Sequence, residues 1–102
     1  MSVVKLNKDN FNLALNSEKK VLLDFYADWC GPCRMLSPIV DQIAEENERY
    51  FVGKVNVDEE PALAQQFNVA SIPMLVVMQN GKVIGSSLGA KPKAQILAML
   101  EG

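Results

Sequence analysis

The chain has 102 residues, 49% hydrophobic and 22% charged, enough for one globular domain over residues 1–102 and too few for two. Ten basic against twelve acidic side chains leave a net charge of −2 with no basic stripe, which argues against nucleic acid as a partner. No histidine is present, so imidazole metal sites, imidazole proton shuttles and Ser-His or Cys-His nucleophiles are excluded, and general-base work falls to carboxylates or lysines.

In chain order, Met1–Lys8 shows neither an apolar h-region nor a small-residue cleavage site, so a cytoplasmic home is expected. Val3–Leu6 is a short candidate strand, and Asn7 can cap a helix whose apolar positions Phe11, Ala14 and Leu15 recur at helical spacing. Val21–Ala27 is nearly all apolar without alternation, the pattern of a strand buried on both faces at the centre of a parallel sheet. Leu36, Ile39, Val40, Ile43 and Ala44 mark one helical stripe running to about Asn47, with Pro38 inside it as an expected kink. Phe51–Val57 reads as the next strand, joined by a parallel crossover, and Pro61–Phe67 as a short helix. Met74–Met78 and Lys82–Leu88 are strands around Asn80-Gly81, a strong hairpin signal. Pro92 opens a terminal helix with Ile96, Leu97 and Leu100 on its apolar side. The longest apolar runs, including Ile72–Met78, fall far short of the roughly 20 residues of a membrane span, and no membrane association is expected.

The two cysteines, Cys30 and Cys33, could be half a metal site, a structural bridge or a redox pair. Two thiols without histidine make a closed zinc site in one chain improbable. As a staple the pair closes only four residues, for which the chain-entropy relation gives about 2 kcal/mol against about 4.7 for a 100-residue loop. The redox reading is favoured by position, between a buried strand and a helix N-terminus, with Pro32 suited to the first helical position. There Cys30 faces the positive end of the helix dipole and unpaired N–H groups, both of which stabilise a thiolate. Cys30 is the candidate nucleophile. Cys33, one turn inside and expected to be less exposed, is the candidate resolving thiol.

Asp24 interrupts the apolar run 21–27, where a carboxylate is costly unless paired or protonated. A buried carboxyl near the helix could take or give the proton when Cys33 changes state; the plainer alternative is a polar residue at a sheet end, facing water or capping a turn. Lys54, on the next strand, could tune Asp24 or simply be exposed. Trp29 could belong to the core or form a contact surface beside the thiol.

The run Asp24-Phe25-Tyr26-Ala27-Asp28-Trp29-Cys30-Gly31-Pro32-Cys33, followed by Pro38, Asp58, Ile72-Pro73, Asn80-Gly81 and Gly89-Ala90, resembles the thioredoxin family over nearly the whole chain. The resemblance implies an α/β fold with a central mixed five-stranded sheet flanked by four helices, and the active site at the start of the second helix. It implies that Pro73 is cis and lies against the cysteine pair, and that the backbone of Ile72 pairs with an extended substrate. Asp24 becomes the buried acid and Lys54 its pKa-tuning neighbour. Trp29, Gly31, Pro32, Ile72, Pro73 and Gly89 become the partner-contacting rim. Tyr26, Arg34, Met74 and Met78 depart from the commonest family pattern without removing a catalytic group. The implied activity is that of a general protein-disulfide reductase acting on disulfide-containing proteins. No bound cofactor and no metal is implied, since electrons come from a thioredoxin reductase, usually an NADPH-dependent flavoprotein, and the family suggests a monomer. Two rivals are a disulfide oxidant or isomerase, disfavoured by the Gly31-Pro32 dipeptide without histidine, and a redox-controlled binding or assembly subunit.

Overall fold

The computed structural model describes residues 2–102. Its elements are β1 (Val4–Lys5), α1 (Asn12–Leu15), β2 (Lys20–Tyr26), α2 (Gly31–Glu46), β3 (Tyr50–Asn56), α3 (Pro61–Gln66), β4 (Met74–Gln79), β5 (Lys82–Leu88) and α4 (Lys93–Glu101). The strands form one sheet in the order β1-β3-β2-β4-β5. β1 and β2 pair parallel to β3, while β4 runs antiparallel to β2 and β5 antiparallel to β4. This is the mixed five-stranded α/β sheet that the family resemblance implies; β2 is central but parallel to β3 only, where its apolar pattern suggested the middle of a parallel sheet.

The central position of β2 explains its composition. Side chains alternate across a strand, and Val21, Leu23 and Phe25 enter one core with Leu6, Phe11, Val55, Leu63 and Val76. Leu22 enters a second core with Leu36, Val40, Ile43, Ile96 and Leu100. Both faces of β2 are therefore covered, by α1 and α3 on one side and by α2 and α4 on the other, so no polar face is available. Asp24, two residues beyond Leu22, takes the α2 side by the same alternation.

The differences from expectation are small and local. The first strand has shrunk from 3–6 to Val4–Lys5. Asn7 does not cap the first helix, whose N-cap is Phe11; its Oδ1 accepts from the backbone N–H of Asp9 and Asn10, at 2.8 and 2.9 Å, and so caps the turn leading to the helix. β2 and β3 each begin and end one residue early, α3 ends at Gln66, and β4 extends to Gln79. Helix α2 ends at Glu46, with Asn47 as its C-cap. Pro38 does lie inside α2, on the exposed side. The 80–81 turn is as predicted: Asn80 and Gly81 have φ of 53° and 78°, the double positive φ of a type I′ hairpin.

Leu22 has no exposed surface and bridges the sheet to α2 and α4. Leu22→Ala should cost about 2–5 kcal/mol, read as a lower urea midpoint with an unchanged slope.

Candidate active site

The end of β2 and the start of α2 bring the two cysteines together. Cys30 has an extended backbone and is the N-cap of α2, and its Sγ accepts a hydrogen bond from the backbone N–H of Cys33 at 3.2 Å. A sulfur in that place receives an otherwise orphaned helix donor and the positive end of the dipole. Pro32 falls at the second helical position, one residue later than expected, because the helix begins at Gly31. The cysteines are joined as a disulfide, with Cα atoms 5.2 Å apart. Their expected difference in exposure is not found in this bridged state, in which the residues are 4% and 3% exposed. Their surroundings differ instead: Cys33, not Cys30, lines the cleft that leads to Asp24.

That cleft encloses about 220 Å³ between Asp24, Tyr26, Ala27, Asp28, Cys33, Arg34, Ser37 and Lys54. Asp24 is 2% exposed, which dismisses the alternative of a water-facing residue at the sheet end. Its Oδ1 is buried without a hydrogen-bond partner. Loss of hydration disfavours the charged form and pushes the carboxyl up to about 7, against the pull of the Lys54 charge and with a smaller push from Asp41. Lys54 is the Cα partner of Asp24 across β2 and β3, so the sequence pairing of the two residues holds at the backbone.

On the other side of the cysteine pair, the Ile72–Pro73 bond is cis, as the resemblance implies. Pro73 is buried, and its carbonyl accepts from the backbone N–H of Gly89 at 2.8 Å. Gly89 has φ of 87°, a conformation that glycine adopts without the Cβ penalty. Ile72 is half-buried against the cluster of Ala27, Cys30 and Cys33. Gly31 and Pro32 are exposed. Trp29 is 68% exposed, which removes the core reading, and with Val57, Val69, Ala70, Ser71 and Ile72 it lines a groove of about 370 Å³.

Two residues of this rim carried no assigned role in the sequence. The Trp29 Nε1–H donates to Asp58 Oδ2 at 2.8 Å. Buried Asn56 accepts on its Oδ1 from the backbone N–H of Asp58 and of Glu59, and so fixes the turn that presents Asp58. An asparagine at a strand end followed by acidic turn residues is the signal that could have found it.

The Asp24 environment has a measurable effect on stability. A carboxyl raised from 3.8 to about 7 on folding binds its proton more tightly in the native state. Its favourable contribution is complete below 3.8 and is lost as pH rises through about 7. Between pH 4 and pH 8 the oxidised parent should therefore lose on the order of 4 kcal/mol relative to Asp24→Asn, measured by denaturant unfolding across that range.

The family model described as Thioredoxin matches residues 2–102. A thioredoxin of Alicyclobacillus acidocaldarius is 40% identical over 100 residues, covering 97% of this chain and 95% of the relative. One from Haemophilus influenzae is 43% identical over 100 residues, covering 92% and 90%. A solved structure of a mutant thioredoxin from Halobacterium salinarum superposes with a TM-score of 0.92 at 33% identity, covering 98% of this chain and 88% of that one. A match along residues 2–102, relatives of nearly equal length at about 40% identity and a bridged Cys30–Cys33 pair place this chain in the thioredoxin family, whose members are thiol-disulfide oxidoreductases.

Proposed function

We propose that the protein is a general protein-disulfide reductase. The observation that carries this reading is the juxtaposition of three groups: Cys30 Sγ on the N–H of Cys33 at the helix start, and buried Asp24 in the cleft that Cys33 also lines. In the reduced protein the helix N-terminus favours the Cys30 thiolate over its thiol. That thiolate attacks one sulfur of a substrate disulfide, forming a mixed disulfide through Cys30 and releasing the other substrate sulfur as a thiolate. Cys33 then gives its proton to the Asp24 carboxylate, and its sulfur attacks Cys30 Sγ. The second substrate thiolate departs, the substrate has gained two electrons, and the protein holds the Cys30–Cys33 bridge.

A carboxyl poised near 7 suits this role, because a general base works best when its pKa lies close to the working pH. The groove beside Trp29 and Ile72 and the backbone of Ile72 before Pro73 are the proposed seat of the substrate segment, with Gly31, Pro32 and Gly89 at its margin. Lys54 sets the electrostatics of Asp24. The dithiol is restored by a separate thioredoxin reductase drawing on NADPH, so the protein acts as an electron carrier without a cofactor of its own, as thioredoxins generally do. It is proposed to act as a monomer in the cytoplasm. Among the described residues no helix is long and apolar enough to cross a membrane.

Cys33→Ser should trap covalent substrate complexes on Cys30, visible as mixed disulfides on non-reducing gels, and Cys30→Ser should form none; normal turnover by either variant contradicts the assigned roles. The step in which Cys33 resolves the mixed disulfide should accelerate as pH rises through about 7, as Asp24 becomes able to accept a proton. Asp24→Asn should abolish that inflection and slow the step about a hundredfold, the low end of general-base effects, followed by stopped-flow fluorescence of Trp29.

A further inference from the structure

Opposite charges side by side on one sheet face ordinarily pair, and the parallel register sets Asp24 beside Lys54. Here they do not. Lys54 enters no ion pair with a carboxylate among the described residues, and Asp24 Oδ1 is buried without a partner. The Lys54 Nζ lies instead over the ring of Tyr26, 5.2 Å from its centroid, within the reach of a cation–π contact. Tyr26 follows Asp24 by two residues along β2 and therefore shares its face. Asp24, Tyr26 and Lys54 all line the 220 Å³ cleft, which gives the flexible lysine two places to rest, over the ring or on the carboxylate.

We propose that Tyr26 is a positioning residue, whose ring holds the Lys54 ammonium beside Asp24 rather than on it and so keeps the carboxyl unpaired in the cleft behind Cys33. The consequence for proton transfer rests on the function proposed above; the tethering of Lys54 does not. The other charged or titratable groups around Asp24 are Asp28 from the loop after β2, and Cys33, Arg34 and Asp41 from α2. Lys54 is the one whose place a neutral ring on the same sheet face controls. A lysine moved from ring to carboxylate forms a charge-assisted hydrogen bond with Asp24, favouring its ionised form and drawing the carboxyl down from its raised position near 7.

The test is the titration of the Asp24 carboxyl carbon by NMR in the oxidised full chain. Tyr26→Leu should lower the titration midpoint by about one unit, a tenfold loss of proton affinity. Tyr26→Phe, which keeps the ring face, should titrate like the parent. Adding Lys54→Met to Tyr26→Leu should undo the fall. Equal midpoints in the parent and Tyr26→Leu overturn the proposal, as does a fall that survives removal of Lys54. Should Tyr26→Leu fail to fold, pentafluorophenylalanine at position 26 keeps the ring shape and reverses its quadrupole. It should lower the midpoint as Leu does, and an unmoved midpoint overturns the tether. A resolution rate that ignores a shifted carboxyl leaves the tether standing and overturns the proton-transfer role instead.

Discussion

The chemistry proposed for this molecule depends on a carboxyl group held where the fold calls for an apolar side chain. β2 lies between β3 and β4 with helices over both faces, so every side chain along its middle is desolvated. Asp24 is placed there with an unpartnered oxygen. Burying such a group is unfavourable, and the cost is met by the apolar cores that the rest of β2 joins. The strand ends at Tyr26, and a three-residue connection carries the chain to Cys30 at the cap of α2, so the acid and the thiols are joined through a short stretch of backbone.

Around this axis the remaining parts fall into place by backbone geometry. The turn after β2 leads into α2 with Cys30 at the cap, where the Cys33 N–H meets its sulfur. The cis bond before Pro73, anchored through its carbonyl by the Gly89 N–H, brings Ile72 against the cysteine cluster. Asn56 and Asp58 hold the indole of Trp29 from a third element. Rigid supports of this kind are what a site needs when a thiol must approach a disulfide along a defined line.

Much of this was legible in the residues. The both-faces burial of 21–27 followed from its nearly all-apolar composition without alternation, and the hairpin from Asn80-Gly81, because each has one dominant physical solution. Element ends were read less well, since Asn7 is equally suited to a turn and to a helix cap, and the structure uses it for the turn. The cis state of Pro73 came only through family resemblance, because local sequence leaves both isomers open. The Trp29–Asp58 contact joins residues 29 apart, and nothing local encodes it. Nor did the sequence reveal that Lys54 would rest on Tyr26, a choice between two partners settled by side-chain geometry.

The midpoint potential of the Cys30–Cys33 couple, followed by Trp29 fluorescence in dithiothreitol or glutathione buffers, tests the central claim most directly. Thioredoxin is itself the reference case for the low end of the scale, at about −270 mV, against roughly −180 mV for the isomerase and −120 mV for the strong oxidant of this chemistry. A reductase should lie near the first of these family yardsticks. A value near −120 mV, or a pair that shows no reversible transition, would contradict the reading.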